Sequence, residues 1–346
     1  MDHRARHAPR PIEPLTGLVA RWGARLGHEI LQCSAGGLSS LAVALRCRRC
    51  LGPKEWPSAP CACDHGARDQ RSDVPSAAMT NRRITFLGHA TVLAEIDRLR
   101  VLTDPVLGSG IAGLIRRHAT SVPGHLFDDI DAVFISHGHH DHLDVGSLRR
   151  IPGRPSIIVP RGLGRVVSGL GLGPVHEVAP GDTLEIDSVA MEFVAAAHDG
   201  RRLPWRPPNT PIGMVIRGSA SIYFAGDTDL FDGMRAITDL DAALLPVWGW
   251  GPNIGPGHLD PERAARAAAV MQPRVAIPIH WGTFYPAGLR RLVPGPLVDP
   301  GPAFMRAMTE HAPEVAARLL APGETLDLAD DRLLRPGAPE LAAPRR

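Results

Sequence analysis

The run Ser136-His137-Gly138-His139-His140-Asp141-His142 decides how this 346-residue chain folds and what it binds. It follows directly on Ala132–Ile135, a short apolar segment typical of a buried strand. Clustered polar side chains at a strand end are unfavourable unless something binds them, and successive residues point in different directions, so one turn can serve two metal ions. A solvated histidine-rich loop is the alternative. We therefore interpret four residues of the run as metal ligands: His137, His139, Asp141 and His142.

Three more candidate ligands follow apolar segments further along the chain. Each stands one or two residues after its segment, at the kind of strand end where a rigid scaffold places functional groups. Taken singly, each residue type is more often an ordinary polar loop residue, but together they repeat one pattern. The candidates are His198 after Val189–Ala196, Asp227 after Ser221–Ala225 and His280 after Val275–Ile279.

The composition limits the class of protein. Hydrophobic residues make up 44% of the chain, enough for a proper core, and 38 basic against 36 acidic residues leave a net charge of +2. So small a charge gives no reason to expect nucleic acid as a partner. There is no run of about 18 apolar residues, and the first residues do not resemble a signal peptide, so we expect a cytoplasmic protein. The oligomeric state is left open.

The pattern of residue types divides the sequence into three regions. Residues 1–80 show no lasting period, which predicts a poorly structured extension, and Met79 is an alternative start of the natural protein. Residues 81–330 are predicted to form one hydrolase domain without disulfides, and residues 331–346 a C-terminal tail. All five cysteines lie in the extension, and four of them form an alternative, structural zinc site: Cys47, Cys50, Cys61 and Cys63.

From Arg82 onward, short apolar segments separated by Gly, Pro and Asp predict many strands with helices between them. Pro261 and Glu262 after Asp260 are typical of a capped helix start. Two mixed sheets packed face to face, with helices outside, would bury these apolar faces, so we predict an α/β fold, a four-layer αββα sandwich. The predicted helices are Leu143–Arg149, Arg161–Ser168, Leu230–Ile237, Pro261–Met271 and Pro302–Glu310.

Between about Ile84 and Leu328 the chain resembles the metallo-β-lactamase superfamily, because the H-x-H-x-D-H pattern is matched in full at positions 137–142. The resemblance implies a dinuclear metal-dependent hydrolase whose nucleophile is a hydroxide that bridges the metals. It assigns one metal to His137, His139 and His198, the other to Asp141, His142 and His280, and the bridging position to Asp227.

A finer resemblance is to the branch of ascorbate-6-phosphate lactonase-like and N-acyl-phosphatidylethanolamine phospholipase D-like proteins. The motifs that carry it are Gly88-His89-Ala90-Thr91, Thr103-Asp104-Pro105, Leu143-Asp144, Ala225-Gly226-Asp227-Thr228, His258-Leu259-Asp260-Pro261-Glu262 and Ile279-His280-Trp281-Gly282-Thr283-Phe284. The last two look closest to the phospholipase D type. The chain departs from the pattern at Asp199–Pro211, which is rich in Arg and Pro, and at Pro246–Gly257, which has its own Trp- and Gly-rich sequence.

The implied ligand set determines the chemistry of the site. Two divalent ions bring four positive charges, while Asp141, Asp227 and a hydroxide return three, so the net charge favours an anionic substrate or transition state. A metal ion lowers the pKa of bound water from about 15.7 to near 7, so no protein nucleophile is needed. No cysteine follows Cys63, and nitrogen and oxygen ligands favour zinc while admitting manganese or iron.

Three polar residues complete the predicted site. The resemblance places His258 beside the metals as a third catalytic candidate with Asp141 and Asp227, where it binds a phosphate oxygen or protonates a leaving group. A helix-start histidine without such a role is the alternative. His89 and Asp104 are expected to hydrogen-bond the metal ligands and fix their orientation, although Asp104 also suits a plain turn.

Two apolar features are open to two interpretations. Ile111–Arg117, apolar and then basic, predicts a helix packed on the body of the domain, with contact to a membrane surface as the alternative. Four aromatic residues are expected either to wall an apolar pocket near the metals or to pack in the core: Trp248, Trp250, Trp281 and Phe284.

The leading functional hypothesis is hydrolysis of a phosphodiester or a phosphorylated small molecule, with phospholipase D-like attack on a lipid-like anionic substrate as its most specific form. A lactonase or other carbonyl-ester hydrolase is the alternative among hydrolases. A diiron redox enzyme is disfavoured, because such relatives carry a carboxylate where His139 stands. A non-catalytic metal-binding module is a further class, disfavoured because all seven ligands are kept.

Overall fold

The computed structural model describes residues 80–111, 113, 115–119, 121–200 and 209–337. The predicted N-terminal extension, its alternative zinc site and the alternative start at Met79 lie outside the described residues, apart from Thr80 at the boundary. Residues 201–208 of the Arg- and Pro-rich segment also lie outside them. Among the described helices, none has the length and apolar character that a membrane span requires.

The described residues form seventeen strands, five α-helices and four 3-10 helices. The strands are β1 (Asn81–Gly88), β2 (Thr91–Asp97), β3 (Leu99–Thr103), β4 (Gly110–Ile111), β5 (Ile115–Arg117), β6 (Ala132–Phe134), β7 (Ser156–Pro160), β8 (Val175–Val178), β9 (Thr183–Ile186), β10 (Val189–Ala195), β11 (Ile212–Arg217), β12 (Ser221–Phe224), β13 (Ala242–Pro246), β14 (Val275–Ile279), β15 (Phe284–Pro286), β16 (Ala316–Ala317) and β17 (Thr325–Asp327). The α-helices are α1 (Val145–Leu148), α2 (Gly164–Val167), α3 (Pro261–Met271), α4 (Gly295–Val298) and α5 (Pro300–His311). The 3-10 helices are Gly124–Phe127, Ser168–Leu170, Asp232–Ala236 and Leu289–Arg291.

Two seven-stranded sheets make the body of the domain. The first has the order β17-β1-β2-β3-β6-β7-β8, antiparallel as far as β3 and parallel beyond it. The second has the order β16-β14-β13-β12-β11-β10-β9, parallel as far as β12 and antiparallel beyond it. Both sheets are therefore mixed, as predicted.

The inner faces of the two sheets share one core. The ring of Phe134 on β6 lies 6.0 Å, centroid to centroid, from both Phe193 on β10 and Phe224 on β12. Helices α3 and α5 pack together on the outer face of the second sheet, and α1 and α2 pack on the outer face of the first. These four layers confirm the predicted αββα sandwich.

Helix α3 spans the predicted residues, because local signals define both of its ends. Asp260 accepts a hydrogen bond from the Arg263 N–H at 2.8 Å, and a proline occupies the first turn. Gln272 ends the helix in the left-handed conformation, with φ 51°. Three other predicted helices are shorter than expected: α1 begins only at Val145, α2 only at Gly164, and the segment around Leu230 contains a single 3-10 helix.

The segment Ile111–Arg117 is not the helix that we predicted. Gly113, with φ 75°, lies in the turn between β4 and β5, and β5 pairs with β15 in a third, three-stranded sheet. Ile111 and Ile115 are cross-strand partners and both are buried, so the apolar residues form one side of a hairpin. The helical interpretation failed because a short apolar run is compatible with either periodicity.

Part of the segment 331–346, predicted as a tail, belongs to the folded domain. Leu334 is 5% exposed and packs in the core between the sheets. The Arg335 carbonyl accepts a hydrogen bond from Arg318 Nη2 at 3.1 Å. The described part of this segment, which ends at Gly337, therefore packs on the domain and does not extend away from it.

Candidate metal centre

The candidate ligands occupy loops at the ends of strands from both sheets. The run from Ser136 to His142 follows β6, while His198, Asp227 and His280 follow β10, β12 and β14. Strands β12, β13 and β14 run parallel to one another, so their C-terminal ends reach the same edge of the second sheet. The sandwich then brings that edge next to the end of β6, and the seven predicted residues converge.

One group of side chains consists of His137, His139, His198 and Asp227. His139 Nδ1 lies 3.0 Å from His137 Nε2 and 3.2 Å from His198 Nε2. Asp227 Oδ2 lies 3.8 Å and 4.0 Å from the same two Nε2 atoms. Zinc ligands at about 2.0–2.1 Å in a tetrahedron stand roughly 3.4 Å apart, so these four atoms suit one ion.

The second group consists of His89, Asp141, His142 and His280. His280 Nε2 lies 3.0 Å from His142 Nε2 and 3.3 Å from Asp141 Oδ2. Asp227 reaches this group as well, because Oδ1 is 3.2 Å from His280 Nε2 and Oδ2 is 3.2 Å from His142 Nε2. Its carboxylate therefore stands between the two groups, in the position that a bridging ligand requires.

Asp104 and Ser136 determine which ring nitrogen of two ligands carries the proton. Asp104 Oδ2 accepts hydrogen bonds from His142 Nδ1 at 2.7 Å and from the Ser136 hydroxyl at 2.6 Å. Since the hydroxyl donates its only proton there, Ser136 Oγ is an acceptor for His137 Nδ1 at 3.0 Å. Both histidines thus hold their proton on Nδ1 and direct the Nε2 lone pair into the site.

Two main-chain carbonyls likewise hold the proton of two other candidate ligands on Nδ1. The Gly257 carbonyl accepts a hydrogen bond from His198 Nδ1 at 2.8 Å, and the Trp248 carbonyl accepts one from His280 Nδ1 at 2.9 Å. Neither acceptor could be predicted from the sequence, because a backbone oxygen carries no signal of residue type. Nor did the sequence indicate a separate role for Ser136.

These assignments make the site suitable for cations. With both imidazoles neutral, the form in which histidine binds a metal, His142 Nε2 and His280 Nε2 both present lone pairs and yet lie 3.0 Å apart, so no hydrogen bond joins them in that form. Asp227 Oδ1 is buried and has no hydrogen-bond partner, although His280 Nε2 is 3.2 Å away. Buried acceptors of this kind need a positive partner. The residues present therefore fit bound metal ions.

The charges of the buried groups agree with this arrangement. Burial lowers the pKa of His137 well below its usual value, which keeps the imidazole neutral. Burial would raise the pKa of the Asp141 and Asp227 carboxyls, but His142 and neighbouring imidazoles hold both well below the usual value. Burial also lowers the pKa of His142, but Asp227, Asp141 and Asp104 outweigh it and raise that pKa well above the usual value. Without a metal, His142 Nε2 therefore carries a proton, and a bound cation would take the place of that proton among the same carboxylates.

His89, for which the sequence predicts a supporting role, is the fourth member of the second group. Its Nε2 is 3.0 Å from Asp141 Oδ2, and its ring centroid is 3.9 Å from that of His280. Burial, and then the neighbouring His280, lower the pKa of His89 to about 3, so the ring is neutral and donates Nε2–H to Asp141. The backbone N–H of His89 donates a hydrogen bond to Thr283 Oγ1 at 2.7 Å, a contact that was not predicted from the sequence.

His258 stands beside both groups, as the resemblance implied. Its Nε2 lies 3.4 Å from Asp227 Oδ2, and its Nδ1 lies 3.2 Å from the carbonyl oxygens of Gly255 and Pro256. Burial lowers the pKa of His258, but the hydrogen bond and charge of Asp227 outweigh it and raise the pKa above the usual value. Its side chain keeps 22% of its surface exposed, so it is accessible from a cavity.

A cavity of about 560 Å³ opens onto the metal centre. Its polar wall contains His139, Asp141, Asp227 and His258, together with His140. Its apolar wall comes from the β4–β5 hairpin and from the segment after β13, through Ile111, Ile115, Trp248, Trp250 and Ile254. The site is thus a polar centre at the base of a largely apolar pocket.

The four aromatic residues singled out from the sequence divide between the two interpretations. Trp248 and Trp250 line the cavity at the metal centre. Trp281 packs against the core under α5, with Gly301 next to its ring, and Phe284 is 1% exposed and packs with Ile111 and Ile115. For the last two, core packing was the correct interpretation.

Comparison with known proteins agrees with the fold. A family model described as Beta-lactamase superfamily domain matches residues 99–281, more than half of the chain. A UPF0173 metal-dependent hydrolase of Methanopyrus kandleri is 33% identical over 257 residues, which are 71% of this chain and 99% of its own. N-acyl-phosphatidylethanolamine-hydrolyzing phospholipase D 1 of Caenorhabditis elegans is 30% identical over 230 residues, which are 59% of this chain and 64% of its own.

The fold also matches solved structures. Igni18, a metallo hydrolase from Ignicoccus hospitalis, superimposes with a TM-score of 0.53 at 22% identity, over 71% of this chain and 98% of its own. Such a likeness supports the fold alone, whereas the family model and the Methanopyrus relative carry the assignment. The chain therefore belongs to the family described by the Beta-lactamase superfamily domain model, and it is a metal-dependent hydrolase of the metallo-β-lactamase superfamily.

Proposed function

We propose that the chain hydrolyses either a phosphodiester, by phospholipase D-like attack, or a phosphorylated small molecule. It would use two divalent ions, with zinc preferred to manganese or iron. One observation carries the proposal: His258, with Nε2 3.4 Å from Asp227 Oδ2, stands in the wall of the cavity that the candidate ligands line. A proton donor next to the metal centre suits a reaction whose leaving group is an alkoxide.

The charge of the site favours a substrate with an anionic reacting group. Among the seven proposed ligands only Asp141 and Asp227 carry negative charge, and the other described residues that line the cavity include no carboxylate. The four positive charges of two divalent ions then exceed the two negative charges of these carboxylates by two. A phosphodiester carries a negative charge that a lactone lacks, and charge pairing is stronger in a partly buried site than in water.

The protein residues have separate tasks in this proposal. Two divalent ions would supply an activated water and stabilise the charge that develops in the transition state. Both ring nitrogens of His258 face acceptors, Asp227 on one side and the carbonyls of Gly255 and Pro256 on the other. These contacts favour the doubly protonated imidazole, which can give its Nε2 proton to the leaving oxygen.

The apolar wall of the cavity favours an ester with a hydrophobic group. Trp248 donates its indole N–H to the Gly251 carbonyl at 3.1 Å, so its ring is held in place, while Trp250 is 39% exposed at the surface. A cavity of about 560 Å³ is within the usual range for small-molecule sites. The similarity to a phospholipase D of the worm supports a lipid-like anionic substrate.

The test is a direct comparison of substrate classes on protein with measured metal content. The purified chain is assayed on bis(p-nitrophenyl) phosphate and on a panel of lactones and carbonyl esters, before and after chelation. We expect metal-dependent turnover of the diester that exceeds turnover of the lactones. Inertness on diesters together with rapid lactone opening would replace this proposal with the alternative, a lactonase or other carbonyl-ester hydrolase.

A further inference from the structure

A second cavity, of about 360 Å³, lies beside the β4–β5 hairpin and shares no lining residue with the cavity at the metal centre. Two arginines, Arg117 from β5 and Arg150 after α1, line it together with Ser121 and a set of apolar side chains. Positive charge is therefore concentrated in a cavity that the proposed reaction does not use.

Arg117 is fixed in this cavity by contacts that leave it donors to spare. Its Nε donates a hydrogen bond to the Gly108 carbonyl at 2.9 Å, and its Nη2 donates to the Val106 carbonyl. The guanidinium carbon lies 4.7 Å from the centroid of the Phe284 ring, which supports one face of the group. A guanidinium has five N–H donors, so three remain after the two bonds that the described residues accept.

Arg150 brings a second guanidinium to the same space. Its Nη1 donates to the Leu107 carbonyl at 3.1 Å, which anchors the side chain at the mouth of the cavity. Among the residues that the structure describes, no carboxylate lies within 4.0 Å of Arg117 or of Arg150. Burial, and then the charge of Arg150, lower the pKa of Arg117, which means that the two cations repel each other across the cavity.

We propose that the Arg117–Arg150 cavity binds a small oxyanion of the phosphate class, either inorganic phosphate or the phosphoryl group of a monoester. Such an ion relieves the repulsion between the two guanidinium groups. It also accepts hydrogen bonds, in the paired geometry that phosphate oxygens favour, from N–H groups that have no acceptor among the described residues. The Ser121 hydroxyl lies in the same wall and offers a further donor. Phe284 contacts both Arg117 and His89, so the bound anion sits one aromatic ring away from the metal centre.

The test measures binding of inorganic phosphate to the metal-loaded protein by calorimetry at constant ionic strength. Because the metal centre is itself expected to bind phosphate, the readout is the number of sites and the affinity of each. The variant is Arg150→Gln, which alters an exposed side chain. Its matched control is Arg149→Gln, which removes the neighbouring exposed arginine that does not line the cavity.

We expect two phosphate sites in the wild-type protein and in Arg149→Gln. Loss of a charged hydrogen-bond donor should weaken one of them by about tenfold to a hundredfold in Arg150→Gln. Equal binding by all three proteins, or an equal loss in both variants, would overturn the proposal. So would crystals soaked in phosphate whose only phosphate density lies at the metal centre. Since turnover is not the readout, failure here leaves the proposed phosphodiesterase activity unaffected.

Discussion

Asp104 Oδ2 lies 2.7 Å from His142 Nδ1, and both side chains are fully buried. The same carboxylate accepts hydrogen bonds from the Ser136 N–H at 2.7 Å and from the Ser136 hydroxyl. Asp104 thus ties the end of β3 to the first residue of the histidine run, and it directs His142 Nε2 toward the second group of ligands. If Asp104 only formed a turn, which was the alternative interpretation, it would not need these contacts.

Replacement of Asp104 by Asn should therefore weaken metal binding without removing a ligand. The amide keeps the size of the side chain but loses the charge that stabilises the Nδ1–H form of His142, and such changes typically reduce metal affinity about tenfold to a hundredfold. Competition with a chromophoric chelator measures the effect. Asp128→Asn, at an exposed position, is the control and should bind as the wild type does. Unchanged affinity in Asp104→Asn would mean that this contact does not position His142.

Replacement of His258 by Ala should lower turnover while both metals remain bound. General acid catalysis is typically worth about 10² to 10⁴ in rate, and His258 is not one of the seven proposed ligands. Metal content by mass spectrometry, together with separate values of kcat and KM, distinguishes the possibilities. His125→Ala, at an exposed position, is the matched control. Loss of a metal equivalent from His258→Ala would make this residue a ligand instead of a proton donor.

Gly226 precedes the proposed bridging carboxylate and has φ 62°; a Cβ added to it would lie 2.6 Å from Ser136 Cβ. Gly171 has a similar φ of 69° but has nothing within 4 Å of an added Cβ. Alanine at Gly171 should lower the free energy of unfolding by about 1–2 kcal/mol through backbone strain. Alanine at Gly226 should cost about 1–3 kcal/mol more, because the clash adds to the strain. Denaturant unfolding of the metal-loaded variants makes the comparison, and equal losses would remove the packing argument.

Replacement of Trp250 by Ala should alter substrate preference with little change in stability, because the side chain is already 39% exposed. We expect kcat/KM for bis(p-nitrophenyl) phosphate to fall about tenfold. The value for methyl p-nitrophenyl phosphate, which has a methyl group in place of one aromatic ring, should fall less. Leu292→Ala is the control, since Leu292 is 78% exposed and does not line the cavity. Parallel losses on both substrates would show that Trp250 does not contact the apolar group.

The sequence predicted which residues converge at the site better than it predicted their surroundings. His198, Asp227 and His280 could be found because each follows an apolar strand, and strand ends meet at one edge of a sheet. The carbonyls that orient His198 and His280 could not be found, because every residue has such an oxygen and only the tertiary structure brings the right one close. Whether a particular carbonyl accepts a hydrogen bond from a histidine depends on geometry that residue type does not encode.

The apolar segments show a different limit. Ile111–Arg117 is too short to distinguish a helix from a hairpin by periodicity, and its pairing with β15 joins residues far apart in sequence. Trp248 and Trp281 have the same side chain, yet the first lines the cavity and the second packs under α5. Local sequence cannot separate these two environments, because they arise from the packing of the second sheet and its helices.

The most direct test of the two-metal centre is the number of metal equivalents bound per chain. Protein purified without chelators and loaded with zinc is analysed by mass spectrometry, next to the Asp227→Ala and Asp128→Asn variants. The account predicts two equivalents in the wild type and in Asp128→Asn, and fewer than two in Asp227→Ala. The reason is that each carboxylate oxygen of Asp227 lies 3.2 Å from the Nε2 atom of a proposed ligand, Oδ2 from His142 and Oδ1 from His280. One equivalent or less in the wild-type protein would contradict it.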